Sequence, residues 1–286
     1  MNSESFIFRA PAYQTSCVVF NAPHSGRMYS ESFLQNSLLD SLQIRMSEDA
    51  FVDDLFACAP AYGASFLAAV APRAFVDLNR RADELDGALI SEVSKSITNP
   101  RVASGLGVIP RVVAEGRAIQ SGKMSLPDAQ ERLDQFYHPY HAKLRHLMAD
   151  TTAKFGQAIL IDCHSMPHGA TTNMVVKGGG RPDVVLGDRF GASASREITD
   201  AIEEAFVTHG FSVSRNVPFA GAHIVQEYGQ PSVRQHAIQI ELDRSLYMNE
   251  KSVTRSADFD AVCLRLRGVI VQLVQLGAQK LPMAAE

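Results

Sequence analysis

The stretch Ala158-Ile-Leu-Ile-Asp-Cys-His-Ser165 constrains this chain more than any other. A short apolar run, half of it β-branched, proceeds without a polar break and then stops in Asp162-Cys-His164. A run that short and continuous reads as a strand buried on both faces, the pattern of a sheet covered by helices. Comparable runs recur along the chain, giving candidate strands at 17–20, 65–70, 74–78, 158–162, 184–186, 212–215, 223–225 and 237–242. Between them lie helical patterns at 49–62, 127–155, 195–209 and 259–276. The alternation points to an α/β fold with helices on both faces of one sheet. No segment has the composition of a linker, so the expectation is a single domain over residues 1–286. The segment 82–122 is rich in Gly, Ser and Arg and reads as irregular. A loop of that length in a compact domain is usually functional, often a lid.

Local signals refine this reading. Ser125-Leu-Pro-Asp128 opens the second helical pattern with a capping residue and a first-turn proline. Pro139 sits inside that pattern and predicts a kink or break. A formal net charge of −4 argues against an extended nucleic-acid surface. No uninterrupted run of about 18 apolar residues exists, so no membrane span is expected. The start, Met-Asn-Ser-Glu-Ser-Phe, lacks the basic-then-apolar order of a secretory signal. Cys17, Cys58, Cys163 and Cys263 form no C-x-x-C pair and read as free thiols of a reducing, cytoplasmic compartment.

Open α/β sheets deliver functional residues at the carboxyl ends of strands. Four such ends carry polar cargo here: Asn21-Ala-Pro-His24, Asp77-Leu-Asn79-Arg80, Asp162-Cys-His164, and Glu241 after Ile238-Gln-Ile240. Each has an ordinary explanation alone, as a hydrogen-bonded histidine or a salt-bridged edge acid. Together, two strand-end histidines and a supply of carboxylates fit a catalytic zinc site of two His and one acid, with a position left open. Glu48, Asp49 and Asp53 all offer the third ligand, although acids at a helix start also complement the helix dipole.

These motifs resemble the N-formylglutamate amidohydrolase family. The residues that carry the resemblance are Pro23-His-Ser-Gly26, Glu48-Asp49-x-x-Val52-Asp53, Asp77-Leu-Asn-Arg80, Asp162-Cys-His-Ser-Met-Pro167, Arg181-Pro-Asp-x-Val-Leu-Gly-Asp-Arg189, Asn216-x-Pro-Phe-x-Gly221 and Gln239-x-Glu-x-x-Arg-x-Leu-Tyr-Met248. The family is similar to zinc carboxypeptidases and aspartoacylase-like deacylases. The resemblance therefore implies a phosphorylase/hydrolase-like, three-layer α/β/α fold with a central mixed sheet. It implies one zinc per chain on His24, His164 and an acid, Asp49 aligning best with Glu48 and Asp53 as alternatives. It implies Glu241 as general base and acid, Arg73 as the group polarising the scissile carbonyl, and Asn79 with Arg80 on a substrate carboxylate. The implied partner is a small N-acyl amino acid, held by a monomer or homodimer. His141 falls where the family tends to have a histidine, and a packed helix histidine is the preferred reading.

One stretch departs from the pattern. A Gly-Gly-Tyr-Ile-Thr-Arg-like sequence is replaced by Gly221-Ala-His223-Ile-Val-Gln226. Without an arginine at Gln226 a second substrate carboxylate loses a partner, with His223 as a replacement polar contact. The expectation is a preference for neutral or polar side chains over glutamate.

Overall fold

The structure is a computed structural model and describes residues 5–94, 99–176 and 179–278. Seven strands form one sheet in the order Phe6–Arg9, Ser65–Ala69, Val18–Ala22, Ala158–Met166, Gln235–Asp243, Val184–Gly187, Val213–Arg215. Ser65–Ala69, Val18–Ala22, Ala158–Met166 and Gln235–Asp243 run parallel to one another, so their carboxyl ends share one edge. The antiparallel pairings at Phe6–Arg9 and at Val184–Gly187 make the sheet mixed.

Side-chain alternation builds the layers. Val18, Phe20, Ile159, Ile161, Ile238 and Ile240 face a core closed by helices Arg196–Thr208 and Phe259–Ala278. Val19, Ala158, Leu160 and Ala237 face the opposite core, under helices His138–Phe155 and His223–Tyr228. The result is a three-layer α/β/α fold, as expected. Helix Phe259–Ala278 is long and apolar enough to cross a membrane by length and composition. Its Val262, Leu266, Val269, Ile270 and Leu273 are buried against the sheet, the position of a core helix.

Several expected elements differ. Residues 74–78 form turns, because Phe75 and Val76 N–H groups close onto the Pro72 carbonyl instead of joining a ladder. Residues 223–225 open a helix; an apolar run of three fits either type of element, and Ile224, Val225 and Tyr228 pack one helix side into the core. The pattern at 49–62 yields only the short helix Val52–Leu55 and a 3-10 turn Ala59–Tyr62. The disturbance expected at Pro139 appears one turn earlier, as a π segment Leu133–Tyr137 between helices Leu126–Arg132 and His138–Phe155. The proline then falls in the first turn of the following helix, where its missing N–H costs nothing. The strand Phe6–Arg9 at the sheet edge had no counterpart among the expected runs. The segment 82–122, whose residues 95–98 lie outside the described residues, is mostly irregular with a short Val112–Val113/Arg117–Ala118 ribbon.

Candidate active site

On the face that carries Val19, Leu160 and Ala237, the apolar alternation turns polar toward the carboxyl edge. Asn21 pairs in register with Asp162, Asp162 with Gln239, and His164 with Glu241. Every one of these side chains is at least nine-tenths buried. A row of buried polar groups is costly unless each is partnered or used.

The turn after Val18–Ala22 brings His24 to the same place. Gly26 makes this turn possible: a Cβ there would sit 2.0 Å from the Ala71 carbonyl oxygen. Ser25 ties the turn to the next segment, donating to the Asp49 carbonyl at 3.0 Å while accepting from the Asp53 N–H at 3.2 Å. The Asp49 N–H bonds the His24 carbonyl at 3.0 Å. Phe51, two residues on, holds a left-handed backbone (φ 66°), strain of a kind that persists where surroundings fix a site.

His24 Nδ1, Asp49 and His164 offer ligand atoms that lie within 4.8 Å of one another, all buried. Asp49 Oδ2 is 2.9 Å from His164 Nδ1 and 3.4 Å from His24 Nδ1. The other side of the His24 ring fixes its tautomer. His24 Nε2 lies 2.7 Å from Asp77 Oδ1, an acceptor only, so Nε2–H donates and Nδ1 keeps its lone pair. That Nδ1 is buried without a hydrogen bond. His164 Nε2 faces Asp162 Oδ2 at 3.0 Å and Asn79 Nδ2 at 3.2 Å. His164 thus has a carboxylate beside each ring nitrogen, Asp162 beside Nε2 and Asp49 beside Nδ1. Asp162 is itself braced by Asn21 Nδ2 at 2.7 Å, and Asn21 by the Tyr140 hydroxyl. Two imidazole nitrogens and one carboxylate oxygen, with carboxylates behind both rings, fit a zinc-type ion. Of the three acids offered by the sequence, only Asp49 faces the histidines. Glu48 is held by Arg45 at 2.9 and 3.0 Å, and Asp53 by Arg27 at 2.5 Å.

The electrostatics follow the packing. Burial pushes the Asp49 and Asp77 carboxyls up, but the histidines, with Arg73 and Arg80 beside Asp77, outweigh it and hold both well below the usual range. Burial alone would lower His164; the Asp162 charge reverses this and raises it well above 6.5. Burial pushes Glu241 up to about 7, against the pull of His164 and with the push of Asp49. Gln239 Nε2 donates to Glu241 Oε1 at 2.7 Å and fixes the carboxyl.

These groups open on a cavity of about 630 Å³. His24, Asp49, His164, Glu241, Arg73, Asn79 and Arg80 all line it. Arg73 Nε bonds Asp77 Oδ2 at 3.1 Å. The Asn79 amide is engaged internally, its Oδ1 accepting the Ile224 N–H at 2.7 Å. Arg80 is buried, and its guanidinium bonds only the Leu106 and Asn79 carbonyls, both at 3.0 Å. No carboxylate of the described residues lies within ion-pair distance of it. The irregular segment supplies one wall, through Arg101, Leu106, Pro110 and Val112 to Gly116.

Two expected site residues lie off the cavity wall. Gln226 is exposed on helix His223–Tyr228 and does not line the cavity, so its amide cannot set side-chain preference by contact. His223 is half-buried and pairs with the Tyr137 hydroxyl at 3.2 Å, also off the cavity wall. Both were placed by the family resemblance, from the stretch that departs from the Gly-Gly-Tyr-Ile-Thr-Arg-like pattern. The loop before it, Pro218 to Ala222, reaches the cavity instead. Gly187 permits that approach, since a Cβ there would meet the Ala220 carbonyl carbon at 2.7 Å. His141 packs as preferred: neutral, donating to the Leu78 carbonyl at 2.9 Å and facing the Tyr228 hydroxyl at 2.9 Å. Two neighbours of the site had no assigned part. Asp77 and Arg244 were both inside quoted motifs, but their roles depend on partners far away in sequence.

The comparisons agree with this geometry. The profile of the N-formylglutamate amidohydrolase family matches residues 16–248. The chain is 31% identical over 243 residues to the N-formylglutamate deformylase of Pseudomonas aeruginosa, covering 82% of this chain and 83% of that one. The crystal structure of N-formylglutamate amidohydrolase from Ralstonia eutropha JMP134 superposes with a TM-score of 0.87 at 28% identity, covering 95% of this chain and 98% of that one. A gene product of Agrobacterium tumefaciens at 12% identity and a TM-score of 0.66 shares the fold, over 96% and 97% of the two chains. The motifs, the fold and the extent of the match agree, and the chain belongs to the N-formylglutamate amidohydrolase family.

Proposed function

We propose that the protein is a zinc-dependent amidohydrolase that removes the acyl group, formyl in the first instance, from an N-acyl amino acid of the N-formylglutamate type. The observation that carries this is the placement of three convergent ligand atoms, on His24, Asp49 and His164, directly beside Glu241 in a cavity that also holds a buried arginine with no carboxylate of the described residues within ion-pair distance. Names of relatives support the acyl group and the amino acid: two Pseudomonas proteins about 30% identical are N-formylglutamate deformylases.

His24, Asp49 and His164 would hold the zinc. When bound, the ion supplies Lewis acidity and brings the pKa of water to about 7. Glu241 accepts the proton of the attacking water and returns it to the leaving amine nitrogen as the C–N bond breaks. A carboxyl poised at about 7 suits both directions of transfer near neutral pH. Gln239 occupies Oε1, which leaves Oε2 for the proton. Arg73, charged and anchored on Asp77, donates to the developing oxyanion, a contribution of about 3–4 kcal/mol for one well-placed donor. Arg80 receives the substrate α-carboxylate, since no carboxylate of the described residues lies within ion-pair distance of it. Asn79 supports it from behind, since its amide is committed to the Ile224 N–H and the His164 ring. Arg101, also on the cavity wall, makes no ion pair with any described residue and favours a second substrate carboxylate, so the expected preference for neutral side chains is set aside.

The test is a hydrolysis screen of N-formyl, N-acetyl and N-succinyl derivatives of glutamate, glutamine and leucine with zinc-loaded protein. Release of formate from N-formylglutamate above the others is expected. Zinc-loaded protein that cleaves none of them would refute the reading.

A further inference from the structure

Asp49 divides its two oxygens. Oδ2 faces both histidine Nδ1 atoms, whereas Oδ1 faces away and is claimed by other groups. Arg244 Nη2 donates to Oδ1 at 3.0 Å, and the Ser165 hydroxyl lies 3.3 Å from the same atom. Arg244 is itself held at its other nitrogens: Nε donates to Ser165 Oγ at 3.1 Å and Nη1 to the Met46 carbonyl at 3.3 Å. Its side chain is 8% exposed and Asp49 is 1% exposed, so the charge-assisted pair is shielded from water. Arg244 follows strand Gln235–Asp243, and Ser165 lies in the neighbouring Ala158–Met166. The clamp is therefore mounted on the same two strands that carry Glu241 and His164.

We propose that Arg244 is a positioning residue that restricts Asp49 to one ligand oxygen. This rests on the reading that His24, Asp49 and His164 hold a metal. A carboxylate free to rotate can offer both oxygens to an ion. With Oδ1 fixed by Arg244 and Ser165, only Oδ2 remains, and the protein supplies three ligand atoms rather than four. That preserves the open position a hydrolytic site needs. The guanidinium also draws electron density from the carboxylate, so Asp49 binds as a weaker donor than an unpaired aspartate would.

The sequence pattern Glu241-x-x-Arg244 becomes meaningful on this view. Glu241 and Arg244 both line the cavity, and the residue three places on from Glu241 holds the Asp49 oxygen that the histidines do not face.

The test uses cobalt(II) in place of zinc, because its visible d–d absorption is intense in four-coordinate sites and weak in sites of higher coordination. Wild-type protein should take up one equivalent of cobalt with a four-coordinate spectrum. Arg244→Ala should give the weaker spectrum of a higher-coordinate site. Arg244→Lys, which restores a cation with one donor, should recover the intense bands in part. Zinc affinity should fall roughly 10- to 100-fold in Arg244→Ala, the usual loss when a ligand's hydrogen-bond partner is removed. If Arg244→Ala does not fold, the comparison of Arg244→Lys with Arg244→Gln decides, with the glutamine form predicted to show the weaker bands. An unchanged cobalt spectrum and unchanged zinc affinity in a folded Arg244→Ala or Arg244→Gln would overturn the clamp while leaving the metal site standing. Wild-type protein that binds neither ion would overturn the metal reading and the clamp together.

Discussion

Arg80 is buried at 5% exposure with no carboxylate near enough to pair with it, and this makes a separation of stability from activity testable. The perturbation is Arg80→Met, which keeps the bulk and removes the charge. In the folded protein two hydrogen bonds from a charged donor are lost, each worth about 1.5–3 kcal/mol. Against this, a buried cation whose nearest acid, Asp77, acts on it only from beyond ion-pair distance carries an effective penalty of several kcal/mol, which the substitution relieves. Burial already pulls the guanidinium below its ordinary value, a sign of that penalty. The two effects nearly cancel, so stability should change by no more than about 1–2 kcal/mol in either direction. The effect on catalysis has no such compensation. Removing one partner of a desolvated charge pair with the substrate carboxylate costs roughly 2–5 kcal/mol, or about 30- to 5,000-fold in kcat/KM. The assay pairs urea unfolding with kinetics on N-formylglutamate and on its α-amide, which lacks the charge at issue. The loss should appear on the acid and be almost absent on the amide. Equal losses on both substrates would refute the assignment of Arg80 to the carboxylate, and so would a fall in stability large enough to explain the lost activity.

Three further outcomes follow from the geometry. His141 is buried and held neutral, its pKa pulled down to about 3 by burial against an ordinary 6.5; the unfolded chain therefore binds the extra proton first, and stability is lost as pH falls from 6.5 toward 3. At pH 5 the loss is about 2 kcal/mol, and His141→Gln should remove it, which urea midpoints at pH 7 and pH 5 measure as a difference free of the opposite-signed contribution of His164. Asp77→Asn removes the charge behind His24 and should weaken zinc binding by roughly 10- to 100-fold in a competition titration; unchanged affinity would show that Asp77 does not orient the ring. Gln226→Arg, on an exposed helix side, should leave the ratio of kcat/KM for N-formylglutamate and N-formylglutamine within about twofold. A larger change would return that position to the site.

The middle of the sheet was legible because its central strands are buried on both faces. The runs ending at Phe20, Asp162 and Leu242 carry few polar residues until the carboxyl edge, where His24, His164 and Glu241 announce the site. Their convergence needed only the rule that parallel strands end on one side. What was not legible depended on segments whose pattern is too short to have a period. Residues 223–225 fit strand or helix equally and form a helix, while Gln226 and His223, placed at the site by the family resemblance, do not line the cavity. Residues 74–78 looked like a strand because Ala74-Phe-Val76 is apolar, but that apolarity serves packing inside a turn closed on Pro72. The choice among Glu48, Asp49 and Asp53 was open in sequence because all three stand at one helix start. Arg45 holds Glu48 from three residues away, and Arg27 neutralises Asp53 from a position that no spacing rule identifies. Arg244 stayed hidden for the same reason: its partner is 195 residues away.

The claim at the centre of this account is that His24, Asp49 and His164 hold the ion that makes hydrolysis possible. The direct measurement is zinc content and formate release from N-formylglutamate, followed together on the purified protein, the chelator-treated protein and the protein reloaded with zinc. About one zinc per chain is expected, with activity lost on chelation and restored on reloading. His164→Ala should fold yet bind no zinc and release no formate. Full activity in chelated protein, or a complete zinc complement at this site in His164→Ala, would contradict the account.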